Sequence, residues 1–410
     1  MVLTKSLNKN LKLYPWFACV FHAYFWLPIY FLFFNSILLL EEVFLLQSIY
    51  FLSVVTMEVP SGWFSDKFGR KKTLVVASIF LTASYVLFVF STAFMTFAIA
   101  QLLLAAGIAF NSGTDTSFLY ESCEAIDKHE EYAQREATAT RYSFLGTAAG
   151  GIIGGLIAIL DYRGTYALSA FAGIILIFIS LSFTEPIQTK DESKQLSFHK
   201  QIVACLRLLK DDRLLWLFGF AVFLLIINHI PYEFYQPYIE TLCKSLDAAK
   251  SVPIWTSIHL TVTTLIASWI AGRSIKFRNA VGTKCTLFSA AGLQIAMMVV
   301  MHLFMSIPIA LLTTLRSCPR AMSTAPLNAA ITPSLPSERR ATFLSLMSLV
   351  GRLGFALTLA LFASKATEES WAVMSNMLRI GMWIGIGLFV IFFVTSMFIK
   401  IERATHQKPV

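Results

Sequence analysis

Two arginines, Arg316 and Arg320, stand four residues apart in an apolar stretch of this 410-residue sequence. In an α-helix that spacing places both side chains on one face. A guanidinium keeps its charge and forms a planar fork suited to carboxylate or phosphate, and inside a membrane it needs a partner. We expect the pair either to bind an anionic, carboxylate-bearing substrate or to pair internally with Asp115 and Glu233.

Carboxyl groups within apolar stretches are candidates for binding and releasing a proton. Asp115, Glu58 and Glu233 are of this kind, because loss of water favours the neutral carboxyl and a nearby arginine favours the charged one. Asp115 is the first candidate. His22 and His229 titrate near neutrality, although a single histidine in an apolar helix is more often a hydrogen-bonded packing residue.

The stretches that carry these residues are long enough to cross a membrane. Hydrophobic residues make up 56% of the sequence and charged residues 14%, whereas a soluble domain has about 25% charged residues. A helix of about 20 apolar residues crosses the hydrocarbon core. The sequence therefore predicts an all-α membrane protein with twelve spans, at 15–35, 42–62, 73–92, 94–119, 141–160, 164–184, 214–236, 253–272, 284–304, 307–330, 341–363 and 373–399.

Other classes of protein fit this sequence poorly. Its net charge of +9 comes from basic residues in short connections between spans, not from a surface for nucleic acid. The six cysteines are scattered and form no metal-ligand or disulfide pattern. Hydrolase, zinc-protease and phosphate-loop motifs are absent. We expect no enzyme, no metal and no cofactor; the expected partners are a small-molecule substrate, protons and the lipid bilayer.

The basic residues also predict the orientation, because cytoplasmic loops are rich in lysine and arginine. With the N-terminus inside, the outer loops hold only four of the 33 basic residues, namely Arg163, Lys244, Lys250 and Lys365. We therefore expect both termini in the cytoplasm and the chain in the cell membrane, which in a bacterium is the inner membrane.

The longest polar segment divides the sequence into two halves. We predict a six-helix bundle at 1–184, a cytoplasmic linker at 185–213 and a second six-helix bundle at 214–410. Within the linker, apolar residues recur at helical spacing from Phe198 to Leu209. The predicted amphipathic helix either lies on the inner membrane surface or is an ordinary solvated linker helix.

The loop between spans 2 and 3 carries the most specific signal. It reads Gly62-Trp-Phe-Ser-Asp66-Lys-Phe-Gly69-Arg70-Lys-Lys72. It closely resembles G-x-x-x-D-x-x-G-R-[RK]-[RK], the signature loop of the major facilitator superfamily, at the place where that family carries it. The resemblance covers the whole chain. It implies twelve helices in two pseudo-symmetric six-helix bundles around a central cavity, and secondary active transport by alternating access. We expect a monomer.

In that family the acid of the loop contacts the eleventh helix, and the arginine pairs with an acid at the inner end of helix 4. The resemblance gives these roles to Asp66 and Arg70, with Glu121 as the acid on span 4. Gly62 lets two helices approach closely, and Gly69 permits a tight turn. Such a cluster would latch the inner ends of the halves in the outward-open state, while the basic residues of the loop also anchor it inside.

Helices 1, 4, 7 and 10 line the central cavity in this family, and the intramembrane polar residues of this sequence fall largely on them. The resemblance implies a substrate site built from Arg316, Arg320, Asp115, Glu233, His229, Tyr232, Trp26, His22, Asn111 and Gln236. It leaves Asp115, Glu58 and Glu233 as the candidates for proton coupling.

The fifth span bears on the direction of transport. Its glycines Gly146, Gly150, Gly154 and Gly155 are similar to the G-x-x-x-G-P-x-x-G-G motif of drug/proton antiporters, with Gly151 replacing the proline, although close packing alone also uses this spacing. Residues 340–345 look similar to the same segment in bacterial efflux-type members. We expect proton-coupled export of a small organic molecule, either an anion such as a siderophore or a drug. Proton-coupled import of an organic anion or siderophore is the alternative, and a receptor-like protein a remote one.

Overall fold

Every regular element of the described chain is helical. A computed structural model describes residues 2–186, 196–247, 252–363, 371–399 and 401. Its α-helices are α1 Val2–Phe21, α2 Tyr30–Asn35, α3 Leu40–Phe68, α4 Arg70–Phe90, α5 Phe94–Asn111, α6 Thr114–Glu124, α7 Tyr132–Ala158, α8 Tyr162–Ser182, α9 Phe198–Leu208, α10 Asp212–Ser245, α11 Val252–Ala271, α12 Ser274–Leu303, α13 Ile307–Leu312, α14 Cys318–Ile331, α15 Arg340–Ala363 and α16 Trp371–Ser396.

Helix α8 illustrates how these helices suit a bilayer. Its exposed stripe is apolar and recurs every three or four residues, with Phe171 59% and Phe178 66% exposed. The opposite face buries small residues such as Ser169 and Gly173. In lipid, helices associate through small residues at their contacts rather than by burying apolar surface. Eight helical stretches of the described residues are long and apolar enough to cross a membrane.

Three predicted spans are not continuous helices. Span 1 breaks at residues 22–29 between α1 and α2, span 4 breaks at Ser112 and Gly113, and span 10 breaks at 313–317. Gly113 has φ of +70°, a conformation that glycine adopts without strain. Pro319 lies in the first turn of α14, where its missing N–H is tolerated. Non-helical backbone at membrane depth occurs only where protein or a water-filled cavity surrounds it.

The glycines of α7 pack against the end of α1 and the break in span 1 that follows it. An added Cβ at Gly146 would lie 2.0 Å from the carbonyl oxygen of Cys19, and one at Gly154 would lie 2.0 Å from that of Phe25. At Gly150 the corresponding distance to the carbonyl oxygen of Tyr24 is 2.8 Å. The small-residue spacing thus serves a backbone-to-backbone approach, and any larger residue would separate α7 from the end of α1.

The chain forms two compact units. The first comprises residues 1–207 together with Leu335–Leu349, and the second comprises 208–334 and 350–410. The first unit therefore contains α1 to α9 and the first part of α15. The second contains α10 to α14, the rest of α15 and α16.

The predicted linker helix is α9, and it belongs to the first unit. Its buried residues are Gln201, Ala204 and Cys205. The residues of the predicted apolar stripe are less buried than these three. Leu206 is 49% exposed, and Phe198 and Ile202 are half-buried. The helix therefore packs on protein through a small, partly polar face, and its apolar stripe stays partly exposed.

Candidate functional sites

The signature loop ends in a buried set of charges within the first unit. Arg70 Nη1 lies 2.5 Å from Asp66 Oδ1, and Arg70 Nη2 lies 2.8 Å from Glu121 Oε1. A second arginine, Arg340, reaches the same Glu121 oxygen at 2.9 Å. These four residues, which we call the charge cluster, are each 5% exposed or less. Two acids thus balance two arginines, and loss of one charge would leave another without its partner in a low-dielectric interior.

Asp66 also caps the first turn of α15. Its Oδ2 accepts hydrogen bonds from the Thr342 amide at 2.9 Å and hydroxyl at 2.5 Å, and its Oδ1 accepts from the Ala341 amide at 3.2 Å. The first amides of a helix have no partner within the helix, and a negative charge there is favourable. The acid at the end of α3 therefore stabilises the start of α15.

Glu121 and Arg70 extend the cluster to the segment before α15. Ser337 donates its hydroxyl to Glu121 Oε1 at 3.1 Å, and its carbonyl accepts from Arg70 Nη2 at 2.7 Å. The Arg340 guanidinium lies 4.3 Å from the ring centre of Tyr120. Arg340 is not among the residues predicted for this cluster from the sequence, although Arg340 begins α15 directly after the charged residues Glu338 and Arg339.

The two glycines of the loop have different structural reasons. A Cβ at Gly62 would lie 2.7 Å from Ser345 Oγ and 3.0 Å from the Ala341 carbonyl oxygen, so Gly62 sets the approach of α3 to α15. Gly69 has φ of +109°, which favours glycine. Its neighbour is Glu185, whose carboxylate accepts from the amides of Arg70 and Lys71 at 2.6 and 2.9 Å. Burial raises the pKa of Glu185 above its usual value, while these two hydrogen bonds favour its charged form.

Helix α9 adds a polar side chain that sequence analysis did not identify. Gln201 Nε2 donates to the Glu338 carbonyl oxygen at 2.6 Å and lies 3.2 Å from Asp66 Oδ2. One turn on, the buried Cys205 thiol lies 3.8 Å from the Arg339 carbonyl oxygen, and burial raises the pKa of this thiol to about 12. The feature of the sequence that could have indicated Gln201 is that it is a single glutamine on a linker helix of otherwise mainly basic and apolar residues.

The break in span 4 brings together several predicted polar residues of the first unit. Asp115 Oδ2 accepts from Asn111 Nδ2 at 3.0 Å, and its Oδ1 accepts from the Thr116 amide at 2.7 Å. Glu58, which is fully buried on α3, accepts a short hydrogen bond from the Ser112 hydroxyl. Both proton-coupling candidates of the first unit therefore have contacts at the break in span 4. Glu58 contacts the non-helical residue Ser112, and Asp115 contacts Thr116 in the first turn of α6.

A second site, in the second unit, surrounds Arg316. The guanidinium carbon lies 3.8 Å from the centre of the Tyr235 ring and 6.0 Å from that of Tyr232, as in a cation–π contact. Its Nη1 donates to Thr263 Oγ1 at 2.7 Å and to His259 Nδ1 at 3.1 Å. Arg316 is 3% exposed, and in the described part of the chain its Nε and Nη2 have no hydrogen-bond partner.

His259 completes what we call the Arg316 pocket, consisting of Tyr235, His259, Thr263, Thr313 and Arg316. The imidazole is stacked on Tyr235 with ring centres 5.3 Å apart and planes 14° apart. Its Nε2 lies 2.8 Å from Thr313 Oγ1. His259 is not among the residues predicted from the sequence, because span 8 is not one of the helices assigned to the cavity. The feature of the sequence that could have indicated His259 is its position four residues before Thr263, in a run of threonines.

Arg316 and Arg320 differ in burial and do not lie in one helix. The expectation that they share a helix face assumed one continuous helix, but a 3₁₀ turn at Thr313–Leu315 precedes Arg316 and α14 begins only at Cys318. Arg316 is buried, whereas Arg320 is exposed. The hydrogen bonds of Arg316 within the described residues go to His259 and Thr263, and none goes to Glu233.

The remaining predicted residues lie in two groups. On α10, Glu233 and Tyr232 are exposed, and His229 Nδ1 contacts the Leu225 carbonyl oxygen at 2.7 Å. The side chain of Gln236 falls outside the described part of the chain. In the first unit, His22 Nδ1 contacts the Ala18 carbonyl oxygen at 2.9 Å, and Trp26 stacks on Tyr166 with ring centres 6.2 Å apart. The described residues hold no group of three or more side chains that could bind a metal ion.

Comparisons with known proteins agree with this architecture. A family model described as the Major Facilitator Superfamily matches residues 18–359. The chain is similar to Multidrug resistance protein 2 of Bacillus subtilis (strain 168), with 23% identity over 145 residues. That match spans only 35% of this chain and 36% of the relative.

Solved structures share the fold at low sequence identity. The nucleoside transporter NupG has a TM-score of 0.68 at 13% identity, covering 95% of this chain and 99% of its own. The proton:xylose symporter XylE has a TM-score of 0.67 at 13% identity, covering 94% and 96%. At that identity the likeness establishes the twelve-helix fold and leaves the substrate to the chemistry of the sites.

Proposed function

Because the chain belongs to the major facilitator superfamily, a family of membrane transporters rather than enzymes, we propose that it carries a small organic anion by proton-coupled secondary transport. Substrate and protons would bind in alternating-access states of the protein. The anion would bind by its carboxylate to Arg316.

The unsatisfied edge of the Arg316 guanidinium is the observation that carries this proposal. Nη1 is occupied by Thr263 and His259, whereas Nε and Nη2 are buried without a hydrogen-bond partner among the described residues. These two N–H groups point the same way and match the two oxygens of a carboxylate. A buried arginine that lacks a carboxylate partner is unfavourable, and an anionic substrate would remove that penalty when it binds.

Tyr235 also favours binding of a carboxylate by Arg316. Its ring covers one face of the guanidinium at 3.8 Å, which holds the fork in a fixed plane and leaves its edge for recognition. In the second unit, the candidates for further contacts with the substrate are Tyr232, Arg320, Glu233 and His229. In the first unit, the substrate-binding candidates stay His22, Trp26, Asn111 and Asp115.

The charge cluster is proposed as the inner latch of the transport cycle. Asp66, Arg70, Glu121 and Arg340 connect α3, α4, α6 and the start of α15, so their interactions must change if α15 moves relative to α3. A receptor-like protein that does not cycle would have little need for such a set of buried charges. Both termini are proposed to lie in the cytoplasm of a bacterium, with the chain in its inner membrane.

Two directions of transport are consistent with this site. The glycine-rich α7 and the likeness to a multidrug resistance protein favour export of an organic anion, such as a siderophore, or of a drug. The Arg316 pocket, with a histidine in contact with the arginine, favours uptake of an organic anion together with a proton.

Proton flux in proteoliposomes tests the proposal. Purified protein would be reconstituted with a pH-sensitive dye and challenged with monocarboxylates, dicarboxylates, carboxylate siderophores and cationic drugs. We expect proton movement with carboxylates and none with cations. Arg316→Gln should abolish it, whereas Arg379→Gln, an exposed arginine of α16, should not. Proton movement with cationic drugs alone would contradict the proposal.

A further inference from the structure

The Arg316 pocket contains hydrogen bonds whose direction is fixed by chemistry. Arginine can only donate, so the 3.1 Å contact of Arg316 Nη1 with His259 Nδ1 requires a lone pair on Nδ1. The other ring nitrogen, Nε2, contacts Thr313 Oγ1 at 2.8 Å. That hydroxyl donates its own hydrogen to the Ala310 carbonyl oxygen at 2.7 Å. Nε2 therefore carries the ring hydrogen, and His259 is neutral in this state.

The lone pair on Nδ1 is the position where a proton would bind. A protonated Nδ1 would point its N–H at the N–H of Arg316 Nη1, so the two groups could no longer share a hydrogen bond. Nη1 would keep its bond to Thr263 Oγ1 at 2.7 Å. The pocket would then hold two adjacent cations at side chains that are 8% and 3% exposed. Such repulsion is strong where water is excluded, until an anion lies beside both.

We propose that His259 is a proton-binding site coupled to the anion on Arg316, so that one proton and one anion bind together. The inference rests on the proposed function, because it requires an anion at the Nε and Nη2 edge of Arg316. In this step the proton binds to the lone pair of His259 Nδ1, and no covalent bond is broken. Only the hydrogen bond from Arg316 Nη1 is lost, and the carboxylate offsets the added positive charge.

The surroundings of His259 leave Arg316 as its dominant electrostatic neighbour. From α10, Tyr235 stacks on the imidazole, Tyr232 lies on the Arg316 side, and Cys243 belongs to the same apolar cluster as Tyr235. From the segment between α13 and α14 come Thr313 and Arg316, and from α11 itself comes Thr263. Among these contacts in the described chain, Arg316 carries the one permanent charge, so the state of His259 depends on what Arg316 binds.

Thermodynamic linkage determines whether the affinity for the anion rises or falls with pH. If proton and anion bind together, the anion must bind more tightly as pH falls, and by the same factor the anion must favour the proton. For a single coupled proton the dissociation constant changes by up to about tenfold per pH unit. Such co-binding is the linkage that a symporter needs, and it favours uptake over export.

Equilibrium binding of benzoate to the full chain in nanodiscs tests this inference. Benzoate stays ionised between pH 6 and pH 8, so the ligand itself does not titrate there. Calorimetry at pH 6, 7 and 8, in two buffers of different ionisation enthalpy, gives both the dissociation constant and the protons taken up. His259→Asn keeps an acceptor oxygen near the Nδ1 position but cannot titrate. His302→Asn removes another histidine, which lies on α12 and contacts Ser375 of α16 at 2.7 Å.

We expect the wild-type protein to bind benzoate at least tenfold more tightly at pH 6 than at pH 8 and to take up protons on binding. His302→Asn should behave in the same way, whereas His259→Asn should bind with a constant that does not change with pH. Benzoate binding with the same pH dependence in His259→Asn, or without proton uptake in the wild type, would overturn the inference and leave the proposed function. Absence of binding by benzoate and by every other carboxylate would remove both.

Discussion

Asp66 at the end of α3 caps Thr342 in the first turn of α15, accepting from its amide at 2.9 Å and from its hydroxyl at 2.5 Å. The same carboxylate pairs with Arg70 at 2.5 Å. One acid therefore neutralises a buried arginine and satisfies the amides of a helix start. Because of this double role, we expect that neither a neutral nor a longer side chain would replace Asp66.

Asp66→Asn is expected to destabilise the charge cluster. The amide keeps the size of the carboxylate but loses its charge, so Arg70 depends on Glu121 alone, and an N–H group must face donors of Thr342 or Arg70. Breaking a buried pair of this kind costs about 3–5 kcal/mol. We expect a lower thermal unfolding midpoint of the reconstituted protein and strongly reduced transport.

An exposed ion pair on the same unit provides the control. Glu131 pairs with Arg135 at 2.6 Å, but its side chain is 44% exposed, so water and salt already screen it. Glu131→Gln should leave both the midpoint and the transport rate unchanged. Equal effects of the two substitutions would show that the charge cluster has no special role.

Gly62→Ala is expected to push α3 and α15 apart. The new Cβ would lie 2.7 Å from Ser345 Oγ and 3.0 Å from the Ala341 carbonyl oxygen, and overpacking of this kind costs about 1–3 kcal/mol. Adding Ser345→Gly removes the nearer clash and should restore part of the lost stability. Gly387→Ala is the control, because nothing lies within 4 Å of its added Cβ. Additive effects of Gly62→Ala and Ser345→Gly in thermal unfolding would argue against the close approach.

Cys205 should report opening of the latch. Its thiol is fully buried and burial raises its pKa to about 12, so at pH 8 almost no reactive thiolate is present. When α9 leaves the cluster, the pKa should return towards its ordinary value of about 8.5, and labelling should accelerate. In a protein whose other cysteines are replaced by serine, Gln201→Ala should therefore increase the maleimide labelling rate at Cys205 by at least tenfold.

A second single-cysteine protein gives the control for this labelling. Cys285 is exposed on α12, and its labelling rate should be the same with and without Gln201→Ala. If Cys205 is labelled as fast as Cys285 in the unmodified background, α9 does not hold the cluster closed.

Asp115→Asn is expected to uncouple substrate transport from the proton gradient. The amide oxygen can still accept from the Thr116 amide, which now donates to Asp115 Oδ1 at 2.7 Å, so the local fold should remain. Substrate exchange across the membrane should continue, while accumulation driven by an imposed pH gradient should fall. If accumulation keeps its full response to the gradient, Asp115 has no part in coupling.

The sequence predicted the elements that depend on regular patterns. Long apolar runs predicted the spans, and the loop from Gly62 to Lys72 predicted the family that the family model matches. It also brought Asp66, Arg70 and Glu121 into one hypothesis, and the structure places these three in hydrogen-bond contact. Local motifs of this kind can be recognised because their spacing along the chain is itself the constraint.

What sequence reasoning missed depends on breaks in helices and on contacts between distant segments. Arg316 lies before the start of α14 at Cys318, whereas Arg320 lies within that helix, so their relation could not follow from a spacing of four in one helix. His259 meets Arg316 across a separation of 57 residues, and only the packing of α11 against the turn at Thr313–Leu315 and against α14 reveals it. Gln201 likewise acts through contacts with Glu338, just before α15, and with Thr342 of α15, which are 137 and 141 residues away.

The affinity of a carboxylate for Arg316 variants tests the central claim most directly. The carboxylate that moves most protons in proteoliposomes would be titrated into nanodisc-held wild type, Arg316→Gln and Arg379→Gln at pH 6. Loss of a charge-assisted hydrogen bond of about 1.5–3 kcal/mol corresponds to about ten- to a hundredfold weaker binding. We predict that loss for Arg316→Gln and wild-type affinity for Arg379→Gln. Equal affinity of wild type and Arg316→Gln would contradict the assignment of Arg316 as the anion-binding residue.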